Sequence, residues 1–208
     1  RGSYDWKGLR FLEETFIGNP EPENNWDFYY FIIRNSENRP VLATFFVSTL
    51  CKDDIFSPYS VSEDIEKKRV NDPLYMCSKV LMMGSLFTEG NHMYLDRSDD
   101  NWREALRLLL ENATKIQEQY GANTITLRDF ETNDIELRDF FLGEGFIKVD
   151  LPDAHIVEKE TIQWGSIEDY LARISYKSRK NIKRDVFKYE SYYDVEVINN
   201  ASEEQVEH

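Results

Sequence analysis

The run Arg128-Asp129-Phe130-Glu131-Thr132-Asn133-Asp134 follows a short buried-type strand, Thr124 to Leu127. Ligands in α/β sheets collect at the carboxyl ends of strands. A guanidinium there can grip a carboxylate or phosphate with two parallel hydrogen bonds, so Arg128 is a candidate clamp. Asp129 and Glu131 are candidate general bases. A plainer role is equally open: Asn133 or Asp134 caps a following helix, and Arg128 pairs locally with Asp129. Leu-Arg-Asp-Phe recurs at 137 to 140, but on a helix, and the repeat is read as coincidence.

A second cluster is electrostatic. Residues 173 to 188 hold seven basic side chains (Arg173, Lys177, Arg179, Lys180, Lys183, Arg184, Lys188) and one acid, Asp185. That segment carries +6 in a chain of net charge −14, which leaves −20 for the rest. On a helix Leu171, Ile174, Ile182, Val186 and Tyr189 share one face, and Arg173, Lys177, Lys180 and Arg184 lie on the other. The basic face has three readings: a solvated surface, a site for phosphate, nucleotide or tRNA backbone, or a membrane-surface helix. The last is weakened by the absence of Trp and Phe anchors.

Composition excludes several classes. With 208 residues, 41% hydrophobic and 14% aromatic, the chain can build a core. No apolar run approaches the roughly 18 residues of a membrane span. Cys51 and Cys77 have neither CxxC spacing nor the numbers for a disulfide framework, so a reducing cytoplasm is the expected compartment. His92 and His155 are isolated, no spacing suggests a metal site, and there is no GxSxG, P-loop or GxGxxG. The chain begins Arg1-Gly2-Ser3 and stops at Glu207-His208, which reads as a piece of a longer protein.

The elements that must position these residues follow from periodicity. Residues 4 to 16 read as a short amphipathic helix, with Leu9, Leu12 and Phe16 at helical spacing. Trp26 to Arg34 and Pro40 to Leu50 read as an antiparallel hairpin around Asn35-Ser36-Glu37-Asn38-Arg39. Residues 52 to 73 read as a long loop or a lid with a helical turn. Strands are expected at 76 to 87 and 92 to 95, then a helix starting near Asp99 or Asp100. Its stripe is Trp102, Leu106, Leu109, Ala113, Ile116 and Tyr120, and Gly121 is its cap. A second helix over 134 to 142 and strands at 146 to 149 and near His155 to Lys159 complete the first domain. Trp6, Trp26, Trp102 and Trp164 are expected in packing roles. From Trp164 a new unit begins, with Ser166 capping a helix that runs to about Ser191 and a strand from Tyr193 to Ile198. The alternation argues for a mixed α/β (α+β) sheet with helices packed on it.

This order of elements resembles the Gcn5-related N-acetyltransferase (GNAT) superfamily. His92 through Leu106 to Gly145-Phe146 looks like its strand–helix–strand–helix–strand core, and Gly145-Phe146 resembles the pair that opens a late strand. Ser166-Ile-Glu-Asp-Tyr-Leu-Ala-Arg-Ile-Ser-Tyr-Lys-Ser-Arg-Lys-Asn-Ile-Lys-Arg is similar to the opening helix of the second domain in FemAB-type, peptidoglycan-biosynthesis-like acyltransferases. The resemblance implies a GNAT-like domain over 1–162 with a mostly antiparallel sheet, and the start of a second over 163–208. It implies transfer of an acyl group from acetyl-CoA or another acyl-CoA, or from an aminoacyl-tRNA, to a small-molecule or peptide-like amine.

Within it, Asp129 and Glu131 are the candidate bases, Tyr94 the candidate proton donor, and Arg128 positions the acceptor. Arg179, Lys180, Lys183 and Arg184 match the basic run and would face an anionic donor, tRNA included. No metal is implied. The alternative is a non-catalytic, degenerate GNAT-like module that recognises an anionic partner. One departure bears on the choice. A GNAT holds pyrophosphate with Gln/Arg-x-x-Gly-x-Gly/Ala before its central helix, and here that place reads Arg97-Ser98-Asp99-Asp100-Asn101-Trp102. Two carboxylates and no glycine argue that this domain is not the one that binds CoA. Exposed edge strands would allow pairing with a neighbouring chain.

Overall fold

Pro40–Lys52 (β2) is apolar on both faces, and that composition places it at the centre of the sheet. Its alternating side chains feed two cores: Leu42 and Phe46 face one side, Phe45 and Val47 the other. The computed structural model describes residues 5–150, 159–196, 198 and 202. The chain divides into two units, Arg1–Val149 and Asp150–His208.

In the first unit, Asp27–Arg34 (β1) forms the expected hairpin with β2, pairing Asp27 with Ser48 and Ile32 with Ala43. Asn38 takes φ 64°, and Asn35 Oδ1 accepts from the Glu37 and Arg39 amides, which closes the turn. Cys77–Met83 (β3) and Met93–Leu95 (β4) both pair antiparallel with β2, β3 opposite Phe46 to Lys52 and β4 opposite Leu42 to Thr44. Thr124–Thr126 (β5) lies parallel to β3, Leu81 beside Ile125. The fold is thus mixed α/β: a mostly antiparallel open sheet, with one parallel pair, flanked by helices.

The connection that makes β5 parallel is Trp102–Tyr120 (α3). Leu106, Leu109 and Ala113 are fully buried on one stripe, and Gly121 ends the helix at φ 70°, where a side chain would be strained. With Ile135–Gly143 (α4), α3 covers Phe46, Leu81 and Met83. On the other face, Trp6–Phe16 (α1) brings Leu9 and Phe16 to Trp26, and the Phe16 and Trp26 rings stack at 3.9 Å. Trp26 and Trp102 pack in the interior as expected, whereas Trp6 is 65% exposed at the first turn of α1.

Four local expectations are corrected. The loop over 52 to 73 contains an 11-residue helix, Tyr59–Arg69 (α2). Its anchor is non-local: buried Arg69 donates to Asp54 Oδ1 at 2.6 Å and to the Tyr75 and Met76 carbonyls, and holds Asp54 below the usual carboxylate range. Second, β3 stops at Met83 rather than continuing to 87. Third, Gly145-Phe146 opens no strand; Gly145 sits at φ 93° and the Phe146 amide bonds the Phe141 carbonyl, so the pair terminates α4. The fourth lies in the second unit. One helix from Ser166 to Ser191 is instead Ile167–Arg173 (α5) and Tyr176–Asp185 (α6), followed by a 3-10 segment, Phe187–Tyr192. Ser166 caps α5 as expected, but Ser175 turns extended and its hydroxyl caps α6 afresh. The described residues of 193 to 198 form no strand, and the strand near His155 to Lys159 falls largely outside the described residues.

Candidate functional site at the carboxyl ends of β3 and β5

β3 and β4 share one edge of β2, and the chain leaves the sheet between them. Gly84 makes the exit. Its amide bonds the Phe45 carbonyl at 2.9 Å, its φ is +78°, and a Cβ there would meet His92 Cδ2 at 2.2 Å. The loop folds on itself: the Ser85 amide donates to Thr88 Oγ1 at 2.8 Å, the Phe87 amide donates to Ser85 Oγ, and both hydroxyl residues are fully buried. Thr44 Oγ1 donates to the His92 carbonyl as the chain returns. Phe87 stacks against Phe16 and Trp26, which pins the loop's outer side.

β5 delivers Arg128 and Asp129 to this loop. Arg128 Nη1 donates to the Ser85 carbonyl (2.9 Å), Nη2 to the Thr88 carbonyl (3.2 Å), and Nε to Asp129 Oδ2 (2.9 Å). Asp129 adopts φ +63°, a left-handed conformation that a short acidic side chain tolerates. The same Oδ2 lies 3.4 Å from His92 Nδ1, and His92 Nε2 lies 2.8 Å from Thr88 Oγ1. A carboxylate beside Nδ1 favours the proton there, which leaves Nε2 to accept from the Thr88 hydroxyl. Burial pushes His92 below its ordinary pKa; Asp129 opposes that and Arg128 adds to it. The ring is neutral at pH 7.

The arrangement Thr88–His92–Asp129 has the connectivity of a nucleophile, base and orienting acid. Thr88 is sealed from solvent, however, and its oxygen already accepts the Ser85 amide. Its role in this structure is to hold the loop. Sequence reasoning placed Arg128 and Asp129 at this strand end but missed Ser85, Thr88 and His92. The available signal was Gly84, a turn residue inside the run read as one strand.

The other expected residues lie apart. Glu131 is exposed, and its carboxylate makes no ion pair or hydrogen bond among the described residues. Tyr94 stands on β4 opposite Ala43 and is 54% exposed. Arg179, Lys180, Lys183 and Arg184 belong to α6 of the second unit, where Arg184 is held by Asp185 at 2.5 Å. No group of three or more His, Cys, Asp or Glu among the described residues could hold a metal ion, and no described helix is long and apolar enough to cross a membrane.

The turn before α3 is filled from within. Asp96 Oδ1 accepts the Ser98 amide and hydroxyl, Asp99 Oδ1 accepts the Asn101 amide, and Asp99 Oδ2 accepts from Asn35 Nδ2. The Asn35 and Asn101 bonds hold Asp99 below the usual carboxylate range. Arg97 is turned to Asp134 and Glu136. The Ser98 and Asn101 amides of this turn already meet carboxylates, and the local charge is of the wrong sign for an anion.

No family model matches the chain, and no curated protein matches it. Among solved structures, it is similar to a single-site mutant of the BH1408 protein from Bacillus halodurans, 11% identical over 73% of this chain and 74% of that chain, with a TM-score of 0.41. A tetramutant of the same protein aligns at 10% identity, over 72% and 74% of the two chains, with a TM-score of 0.39. A protein named as a probable acetyltransferase aligns at 12% identity over 73% of this chain and 76% of that chain, with a TM-score of 0.36.

Proposed function

We propose that this chain is part of a cytoplasmic N-acyltransferase of the GNAT type, and that its first unit is the half that does not hold the acyl donor. The observation that carries the reading is the acidic turn from Asp96 to Asn101, whose Ser98 and Asn101 amides are taken by Asp96 and Asp99. The resemblance in element order and in the stretch from Ser166 to Arg184 supports the rest. That stretch would open a second, GNAT-like domain, on the tandem plan of FemAB-type enzymes. The donor, an acyl-CoA or an aminoacyl-tRNA, would bind outside the first unit.

The chemistry is attack of a neutral amine nitrogen on a thioester or ester carbonyl. The new N–C bond forms, the thiolate or alkoxide departs, and the amine's proton passes to a base. Glu131 is the better placed of the two candidate bases, because Asp129 already receives Arg128 and faces His92. Arg128 makes three bonds to oxygen and one to Met82 Sδ, which leaves one of its five N–H groups to offer an acceptor's carboxylate. Tyr94 remains the proposed proton donor.

The test is transfer itself. Acetyl-CoA plus an amine panel, read by thiol release, is expected to give no turnover with this chain and turnover with a longer chain that contains it. Turnover by this chain alone would overturn the division of labour. Silence of the longer chain with both acetyl-CoA and aminoacyl-tRNA would favour the second reading, a non-catalytic module. The commitment of Arg128 and Asp129 to the 84–92 loop is the observation on that side.

A further inference from the structure

With 39 acidic and 25 basic residues, the chain holds more acidic partners than cations to pair with them. In the first unit most arginines are matched, Arg10 with Glu14, Arg69 with Asp54, Arg103 with Glu136, Arg107 with Glu144 and Arg138 with Asp139, while Arg34 turns to the Asn38 carbonyl. The helix α6 breaks the pattern. Lys177, Arg179, Lys180 and Lys183 make no ion pair among the described residues, and Arg184 alone is paired, with Asp185.

Placed at 100° per residue, Lys183, Tyr176, Lys180, Arg184 and Lys177 fall within an arc of roughly 120°. Ile182 and Asp185 lie on the far side, where Ile182 is half-buried. The arc is solvent-exposed, contains no acid and no aliphatic side chain, and includes one ring, Tyr176, which is 75% exposed. Just beyond the helix, Lys188 lies over the Tyr189 ring, and Tyr192 is exposed.

We infer that this face of α6 binds a single-stranded nucleic acid. Its phosphates would lie against Lys177, Lys180 and Lys183, and a base would stack on Tyr176. Ammonium groups supply sequence-independent attraction to phosphate, and an exposed aromatic ring accepts any base by its π-face. A lipid surface fits less well, because the arc has no apolar side chains to insert. A rigid duplex fits less well too: its two rows of phosphates need a broader basic surface than one ten-residue helix offers, whereas one strand can follow one helix. The inference stands apart from the acyl-transfer reading and needs no donor or acceptor.

The experiment is fluorescence anisotropy of labelled oligouridylate and oligothymidylate titrated with this chain, without acyl donor. Binding that weakens with salt is expected, with the triple variant K177Q/K180Q/K183Q reducing the log–log salt slope by about 2. Tyr176→Ala should weaken binding about tenfold and leave the slope unchanged. Circular dichroism confirms that both variants, altered only at exposed positions, keep their helices. A stronger response to oligouridylate than to oligothymidylate would assign RNA, and the reverse DNA. Absence of binding at low salt overturns the inference. So does unchanged affinity in the triple variant, or equal binding to anionic phosphatidylserine vesicles with no effect of Tyr176→Ala. A chain that binds the strand but never transfers an acyl group sinks only the earlier reading.

Discussion

His92 Nδ1 stands 3.4 Å from Asp129 Oδ2, so a residue at the end of the loop between β3 and β4 meets one just past β5. The contact ties the loop between β3 and β4 to the segment that follows β5. Asp129 reaches it by way of a left-handed backbone conformation, and Arg128 fastens the other side of the same loop.

Stability should therefore depend on pH through His92. Its folded-state pKa is depressed by burial, so the unfolded chain binds a proton more readily. The neutral ring's contribution is complete above the unfolded value of about 6.5 and is lost as pH falls through the folded value. Thermal melts between pH 7 and pH 5 should show a falling Tm, and His92→Gln should flatten that stretch. The carboxylates held low by partners, such as Asp54 and Asp134, titrate at lower pH and leave this window clear. An identical slope in the variant would remove His92 from the account.

Gly84 and Gly18 share φ +78°, but only Gly84 has an obstacle, His92, where a Cβ would stand. Gly18→Ala should cost about 1–2 kcal/mol for the left-handed backbone. Gly84→Ala should cost a further amount, about 1–3 kcal/mol, for the clash. Urea denaturation of the pair measures the difference directly.

Arg128→Lys keeps the charge but cannot bridge two carbonyls and a carboxylate with one fixed fork. Hydrogen exchange is expected to quicken at the Phe87 and Thr88 amides, while the β2 amides from Leu42 to Val47 hold their protection. Uniform loss across the sheet would mean that Arg128 supports the whole unit and not this loop.

On α3 the inner and outer faces give a matched pair. Leu106→Ala, at a fully buried site, should cost about 2–5 kcal/mol. Leu108→Ala, at a position 45% exposed, should stay within about 1 kcal/mol. Denaturant midpoints decide.

Much of this architecture was legible in the sequence because it is periodic or punctuated. The α3 stripe, the hairpin around Asn35 to Arg39 and the Gly121 cap are local signals, and each matched. What failed was non-local. Nothing near Tyr59 announces a helix; Arg69 makes one by reaching buried Asp54 and the Tyr75 and Met76 carbonyls. The stretch from Leu81 to Phe87 reads as one apolar strand; Gly84 ends it at φ +78°, and Arg128, far along the chain, holds its second half as a loop. The helix beginning at Ser166 carried a unified apolar face on paper, yet Ser175 could cap, and did.

For the candidate site the same division holds. Arg128 and Asp129 were visible as polar residues at a strand end, but their partners were not, since His92 is isolated in sequence. The acidic turn before α3 was visible as composition; the bonds from its Ser98 and Asn101 amides to Asp96 and Asp99 were not.

The most direct test of the central claim is titration of this chain with acetyl-CoA in a calorimeter. The account expects no saturable heat, because Asp96 and Asp99 take the Ser98 and Asn101 amides in the turn before α3 and make that turn acidic. Saturable, stoichiometric binding that is lost on charge reversal of Arg97 would contradict it, placing a pyrophosphate at that turn and the donor site in the first unit.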